Sequence, residues 1–207
     1  TGVFQLEGSG MRRYIQQVQP ASLKDLAAMI ALYRPGPMEH IPAYADAKMG
    51  RIPIKYPHGD LKPILEETYG IIVYQDQVLH IVRQFAGYTL GEADRVRKAM
   101  GKKIASIMAE EKGKFVSGAL QRGYDEETAN DIFNLIEPFA GYAFNKSHSV
   151  SYAVISYQTA YLKANYPIEF FTATLNSYLG QTERTGIVVE DGRKRGVLVN
   201  PPNVNHS

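Results

Sequence analysis

The sequence contains no cysteine. Disulfide bonds, zinc–thiolate sites and cysteine nucleophiles are therefore excluded. The absence is compatible with a reducing compartment, and we expect a cytoplasmic location. No apolar run approaches the length of a membrane span, and no signal peptide is visible, so we expect no membrane contact. The chain starts at Thr1 rather than at a methionine. We therefore expect it to be a piece of a longer protein.

Common enzyme signatures are also missing. The sequence has no GxxxxGK[ST] phosphate loop, no GxGxxG, no GxSxG and no SxxK. The five histidines show no HxxxH spacing. Acidic pairs occur at 66–67, 110–111 and 125–127, but none lies in an apolar strand that would hold a two-metal site rigidly. We therefore expect no catalytic residue and no metal ligand in this chain, and a metabolic enzyme has no supporting motif.

Overall charge is nearly balanced. The chain has 23 basic and 21 acidic residues and a net charge of +2. Any affinity for nucleic acid must therefore come from local clustering.

Length and periodicity predict a mainly α fold with irregular loops and little or no strand. The 207 residues, 44% of them hydrophobic, can form one substantial core or two small ones. Ser22 and Asp25 predict the start of a helix. Gly87 and Gly101 predict helix ends, and Pro167 predicts a helix start. We expect helices at about 11–19, 38–49, 61–67, 91–100, 104–121, 126–137, 148–165 and 167–179. We also expect a helix that begins at Ser22 and one with an apolar face at 78–85 that ends at Gly87. Residues 70–74 (GIIVY) fit either a strand or the entry to a helix.

The pattern weakens after Gly180. Residues 181–207 contain a short apolar run, a basic turn at 192–196 (GRKRG) and a proline pair. We expect residues 1–180 to form the helical region and residues 181–207 to be a connecting segment toward an absent downstream domain.

A basic cluster lies in residues 91–103 (GEADRVRKAMGKK). It has five positive charges in nine residues with no acid among them: Arg95, Arg97, Lys98, Lys102 and Lys103. Such a group can neutralise a triphosphate or a DNA backbone. The alternative is an ordinary charged helix, in which early acids and late bases complement the helix dipole.

A second candidate lies in residues 141–152 (GYAFNKSHSVSY). Ser147 can cap the following helix, and a helix N-terminus attracts anions. Lys146 and His148 would strengthen such a site, and Asn145 could hydrogen-bond a ligand. The alternative is a capped helix behind a polar loop.

Aromatic residues crowd this second region. We expect most of them to pack in the core, because Val150, Ala153, Val154 and Tyr157 form a helical stripe. Tyr142 and Phe144, in the loop, are the stronger candidates for stacking on bases. For Arg34, in the rigid RPGP break at 34–37, we expect hydrogen bonds to nearby carbonyls.

Seven motifs in order carry a family resemblance. They are GVFQLE (2–7), ALYRPGPM (31–38), YGIIVYQDQV (69–78), GYTLGEAD (87–94), RKAMGKK (97–103), FAGYAFNKSHSVSYA (139–153) and SYQTAYLKANYP (156–167). Together they resemble the fingers region of the alpha subunits of bacterial DNA polymerase III, the C-family replicative polymerases.

The resemblance implies a parent protein that is a DNA-directed DNA polymerase of the replisome. In this family a preceding palm holds the aspartates that bind Mg²⁺. We therefore expect this fragment to bind no cofactor and to be inactive alone. The implied partners are primer-template DNA, dNTP, the palm and other domains of the same polymerase, and, through the parent, the sliding clamp and other replisome subunits.

The resemblance also assigns roles to residues. The basic pair before AMGKK contacts the triphosphate in similar proteins, which implies Arg97 and Lys98 here, with Lys102 and Lys103 as neighbours. The motif FNKSH implies that Asn145, Lys146 and His148 face the same cleft. We expect Arg95, Tyr142 and Phe144 to contact DNA.

Two departures from the family pattern bear on these roles. The family often has Arg-Arg where this chain has Arg97-Lys98, so the bidentate contact shifts toward Arg97. Glycine or proline is common where this chain has Ala143, a minor change. A non-catalytic helical DNA-binding module and a scaffolding domain remain the alternatives.

Overall fold

The computed structural model describes residues 1–102, 105–140, 142–200 and 204, without the side chains of 99–102, 105–108 and 140. Within these residues the fold is all helical, as predicted. The α-helices are α1 (Ser9–Val18), α2 (Leu23–Leu32), α3 (Ile41–Lys48), α4 (Lys62–Leu65), α5 (Gln75–Ala86), α6 (Leu90–Lys102), α7 (Ala105–Gln121), α8 (Glu126–Ala140), α9 (Lys146–Asn165), α10 (Pro167–Ser177) and α11 (Thr182–Lys194). Short 3-10 helices lie at Pro37–His40, Gly59–Leu61 and Glu66–Thr68.

Local sequence signals explain several helix ends. Ser22 and Asp25 form the predicted capping box: the Asp25 amide donates to the Ser22 hydroxyl, and the Asp25 carboxylate accepts from the Ser22 amide. Gly87 ends α5 in the left-handed conformation at φ 72°. Pro167 occupies the first turn of α10. These three predictions are confirmed.

Two hydrophobic cores organise the chain. The larger core lies among α4 to α8 and is built on Leu61, Leu65, Ile81, Val82, Phe85, Phe115, Phe133 and Ile136. The smaller core joins α1, α2 and α3 and includes Met11, Val18, Met29, Leu32, Ile41 and Tyr44. Residues 72–74 connect the two cores, because Ile72 belongs to the larger one and Val73 and Tyr74 to the smaller one. This segment is neither a regular strand nor a helix.

Small side chains let α2 and α9 pack closely together. Ser149, Ala153 and Ser156 are fully buried on α9, and Ala27 and Ala31 are buried on α2. The predicted apolar stripe of α9 is wrong in part: Val150 is 39% exposed and Tyr157 is 51% exposed. The buried face of α9 consists of small residues because they permit the close approach of the α2 and α9 backbones. The larger side chains Val150 and Tyr157 lie on the outer face.

One predicted helix end and one predicted turn are also wrong. The helix that we expected to end at Gly101 continues to Lys102. The weakly patterned segment after Gly180 contains α11. The predicted basic turn at 192–196 is therefore helical up to Lys194, and only residues 195–196 lie beyond the helix. This helix packs on α10. None of the described helices is long and apolar enough to cross a membrane.

Candidate functional site

The first candidate site lies on α6. Thr89 and Glu92 stabilise the start of this helix: the Thr89 amide and hydroxyl donate to the Glu92 carboxylate at 2.9 and 2.7 Å, and the Glu92 amide donates back to the hydroxyl. Ala93 and Val96 are buried in the larger core. Because these two residues fix the inner face of α6, Asp94 and Arg97 lie at its flank and Lys98 lies toward its outer side.

Asp94 binds both basic residues of the predicted phosphate-binding pair. Arg97 donates from Nε and Nη2 to Oδ1 at 3.1 and 2.8 Å, and Lys98 Nζ lies 2.7 Å from Oδ2. The hydrogen bonds from Lys98 and Arg97 lower the pKa of Asp94 below its ordinary value. The Arg97 side chain is 21% exposed and that of Lys98 is 64% exposed. The one carboxylate therefore holds two cations side by side at the surface.

Arg95 lies apart from this pair. It lines a cavity of about 310 Å³ together with Tyr88, Glu92, Glu111 and Lys114. Burial, with a contribution from Glu111, raises the pKa of Tyr88 above its ordinary value. Arg95 therefore faces an environment of mixed charge between α6 and α7. The other two predicted cations, the Lys102 side chain and Lys103, lie outside the described residues.

The second candidate site begins at Phe144, whose backbone pairs with residues 73–75. The Phe144 amide donates to the Val73 carbonyl and the Gln75 amide donates to the Phe144 carbonyl, both at 2.9 Å, which forms an isolated parallel bridge. Asn145 follows at once as the N-cap of α9, and its side chain accepts from the His148 amide at 3.0 Å. Our prediction that Ser147 caps this helix is therefore wrong, because Ser147 already lies in the first turn.

Lys146 forms an ion pair with Glu67, with Nζ 2.6 Å from Oε1. The same ammonium lies 5.4 Å from the centre of the Tyr74 ring, which is buried. Burial raises the pKa of Tyr74. Lys146 and Glu67 line a cavity of about 500 Å³ whose other charged or titratable residues are Lys24, Glu66, Asp76 and His80.

Aromatic rings pack around the loop before α9. The rings of Phe144 and His148 lie 5.5 Å apart, and those of His148 and Tyr152 lie 4.1 Å apart. Tyr142 is 41% exposed. Phe144 is half-buried and packs against the smaller core. The loop therefore presents Tyr142 more openly than Phe144.

Arg34 behaves as predicted and does more. Its Nε donates to the nearby Ala31 carbonyl at 2.9 Å, which confirms the expected local bond. Its Nη2 also donates to the Tyr142 carbonyl at 2.7 Å, across 108 positions of sequence. The guanidinium carbon lies 4.5 Å from the centre of the Phe144 ring. Sequence patterns carried no signal for these two distant contacts.

The two candidate sites are held by separate sets of contacts. In the part of the chain that the structure describes, no hydrogen bond or ion pair joins Arg97 or Lys98 to residues 145–148. Nor do the described residues contain a group of three or more His, Cys, Asp or Glu side chains that could hold a metal ion.

Comparison with known proteins matches the motifs to one family. Residues 1–123 match the family described as the bacterial DNA polymerase III alpha subunit finger domain. The DNA polymerase III subunit alpha of Bacillus subtilis is 47% identical over 207 residues, which cover 100% of this chain and 19% of that protein. The Thermus aquaticus protein of the same name is 49% identical over 211 residues, covering 100% and 17%.

A third relative gives the same picture. The DNA polymerase III subunit alpha of Caulobacter vibrioides is 49% identical over 206 residues, covering 100% of this chain and 18% of that protein. The chain therefore spans less than a fifth of the length of the curated relatives that it matches. These relatives cover the loop before α9, which the finger-domain match to residues 1–123 does not reach.

Proposed function

Because the chain belongs to the bacterial DNA polymerase III alpha subunit family and carries its finger domain, we propose that it binds the triphosphate of the incoming dNTP. Arg97 and Lys98 bind the phosphates directly, and we assign Lys102 and Lys103 to the same ligand from the sequence motif alone. The parent polypeptide is a DNA-directed DNA polymerase, and this chain alone transfers no nucleotide.

The observation that carries the proposal is the shared partner of Arg97 and Lys98. Asp94 accepts from both side chains at 2.7 to 3.1 Å, so the two cations are aligned before any ligand arrives. An ion pair at an exposed surface is weak, because water and salt screen the two charges. Charge-assisted bonds to phosphate are stronger, at about 1.5–3 kcal/mol each. A triphosphate therefore displaces Asp94 readily and gains two cations already side by side.

The N-terminus of α9 provides the second part of the proposed site. Asn145 fixes the start of a 20-residue helix whose positive end attracts anions. Lys146 and His148 lie in its first turn. This sequence contains no acid from residue 145 to residue 165. We assign Asn145, Lys146 and His148 to the nucleotide, and Tyr142, Phe144 and Arg95 to primer-template DNA.

Positioning is the chemistry that this arrangement supplies. Two cations on α6 hold the phosphates in line with the primer hydroxyl and neutralise charge that develops in the transition state. Mg²⁺ assists phosphoryl transfer by activating the hydroxyl and stabilising the leaving pyrophosphate. We assign Mg²⁺ to the palm of the parent, as the family resemblance implies. We also propose that the chain works with other domains of the same polypeptide and, through the parent, with the sliding clamp and other subunits of a cytoplasmic replisome.

A helical DNA-binding module is the alternative function, and salt dependence separates the two. Each contact with backbone phosphate contributes about one unit to the slope of log affinity against log salt. The test measures the affinity of the full-length polypeptide for primer-template DNA from about 50 to 200 mM salt. It compares wild type with the double variant Arg97→Ala/Lys98→Ala. Triphosphate binding predicts an unchanged slope. A slope reduced by about two units would assign both residues to the DNA backbone instead.

A further inference from the structure

Arg34 joins two loops that are distant in sequence. Its guanidinium donates to Ala31 on its own side and to Tyr142 on the other, at 2.9 and 2.7 Å. Its guanidinium carbon lies over the ring of Phe144, 4.5 Å from the ring centre. The side chain is only partly exposed. The contacts with the Tyr142 carbonyl and the Phe144 ring restrain residues 142–144, and the bond to Ala31 holds the Arg34 side chain in place.

The loop that Arg34 holds leads directly into the N-terminus of α9. Phe144 is fixed by Arg34 on its ring and by Val73 on its backbone. The next residue, Asn145, caps α9 through the amide of His148. The ring of His148 in turn packs against Phe144 at 5.5 Å. The position of His148 therefore depends on the position of Phe144.

A glycine permits the same close approach of the two loops. Gly36 has φ 95°, a conformation that favours glycine. A Cβ atom at this position would lie 3.1 Å from the Tyr142 ring. The backbone of the 34–37 turn thus lies against the Tyr142 side chain while Arg34 binds the Tyr142 carbonyl. Two independent features of this turn serve the same contact.

We propose that Arg34 is a positioning residue for nucleotide binding, which acts by holding residues 142–144 so that the α9 N-terminus presents His148 to the triphosphate. This inference rests on the proposed function of the loop. Arginine is required because lysine keeps the charge but lacks the rigid planar fork whose separate nitrogens reach the Ala31 and Tyr142 carbonyls beside the Phe144 ring. Arg34→Lys is therefore the informative change, since it retains charge and most of the volume.

Two measurements on the full-length polypeptide test this role. The first is amide hydrogen exchange, which reports local opening. Arg34→Lys should accelerate exchange at residues 142–149 and leave residues 75–86 unchanged. The second is the KM for dNTP in single-nucleotide incorporation. Loss of one hydrogen bond predicts a KM increase of about fivefold, with unchanged primer-template affinity.

Arg122→Lys is the matched control. Arg122 Nε also donates to a distant backbone carbonyl, that of Gln84 at 2.9 Å, at the junction of α5 and α7. Its replacement should alter neither exchange at 142–149 nor the KM. Thermal unfolding of both variants shows whether either change lowers stability as a whole.

A double mutant tests whether Arg34 acts through His148. His148→Ala should raise the KM by itself, and adding Arg34→Lys should raise it little further, because the two changes remove one interaction pathway. Additive increases of the KM in the double mutant would overturn the inference. Amide exchange at 142–149 in Arg34→Lys equal to that of wild type would also overturn it. If His148→Ala leaves the KM unchanged while Arg34→Lys still loosens the loop, the proposed function of the loop is wrong and Arg34 has only a structural role.

Discussion

The Nζ atom of Lys146 lies 2.6 Å from Oε1 of Glu67, 79 positions away in the sequence. Both side chains are partly exposed, with 37% and 27% of their surfaces accessible. An ion pair in such a place contributes about 0.2–1 kcal/mol. Phosphate that reaches Lys146 must therefore compete with Glu67, but only against a weak interaction. Phosphate that reaches Arg97 and Lys98 must likewise compete with Asp94.

Competition predicts opposite effects for the two partners of this pair. Glu67→Gln removes the competing charge and should lower the KM for dNTP about two- to fivefold. Lys146→Ala removes a charged contact and should raise the KM about tenfold. Asp46→Asn is the control, because Asp46 forms a similar pair with Arg51 at 3.0 Å. An increase of KM in both Glu67→Gln and Lys146→Ala would show that Glu67 positions the lysine rather than competing for it.

Two glycines of α7 should respond oppositely to alanine. A Cβ atom at Gly118 would lie 2.5 Å from the Ala86 carbonyl oxygen, at the crossing of α5 and α7. Gly118→Ala should therefore lower the free energy of unfolding by about 1–3 kcal/mol. No atom lies within 4 Å of a Cβ at Gly113, on the same helix. Gly113→Ala should raise the free energy of unfolding by about 0.5–1 kcal/mol.

Urea unfolding of the 207-residue chain measures both glycine variants. Equal effects of the two substitutions would contradict the close crossing of α5 and α7 at Ala86.

Lys163 should stabilise the attachment of α11. Its ammonium is buried, lies 2.6 Å from Asp191 of α11 and donates to the Thr1 carbonyl at 2.5 Å. Lys163→Met leaves Asp191 with the Thr1 ammonium at 2.9 Å and with Arg195 at 3.4 Å. We expect a loss of about 2 kcal/mol in the free energy of unfolding.

Lys194→Met is the control for this pair. Lys194 also pairs with an acid of α11, Glu190, but at 3.5 Å and with both side chains largely exposed. Its replacement should change the free energy of unfolding by less than about 0.5 kcal/mol. Equal losses in the two variants would mean that burial of Lys163 contributes nothing.

The stabilisation by Asp191 should disappear in acid. Burial alone would raise the pKa of Asp191, but hydrogen bonds from Lys163 and Thr1 outweigh it and lower the pKa well below the ordinary value. The folded chain therefore binds a proton less readily than the unfolded chain. The contribution is complete above the unfolded pKa of about 3.9 and is lost as the pH falls toward the folded pKa.

Unfolding of wild type and Asp191→Asn at pH 6 and pH 3 measures this dependence. The advantage of wild type should be larger at pH 6. An equal or larger advantage at pH 3 would contradict the lowered pKa.

Local signals made much of the fold predictable. The capping box at Ser22 and Asp25, Gly87 and Pro167 act within one turn of their own helix, so the sequence reveals them directly. Helix α11 was not predicted because its apolar residues are few, and contacts with α10 and the bond from Lys163 to Asp191 stabilise it.

The contacts within the candidate site were less predictable. Asn145 and Ser147 have similar capping chemistry, and only the backbone shows which of them begins α9. Lys146 finds its acid 79 positions away, and Arg34 finds Tyr142 across 108 positions. No local pattern encodes such pairs. The assignment of these residues to a ligand stays a prediction from the motifs, and only the fold shows which partners hold them.

Single-nucleotide incorporation by the full-length polypeptide tests the central claim most directly. Wild type and Arg97→Ala are compared across a range of dNTP concentrations, with primer-template affinity measured in parallel. Loss of one charge-assisted contact, about 1.5–3 kcal/mol, predicts a fall of about 10- to 150-fold in kcat/KM for dNTP with unchanged primer-template affinity. Unchanged nucleotide kinetics would contradict the account and leave Arg97 as part of a charged helix surface paired with Asp94.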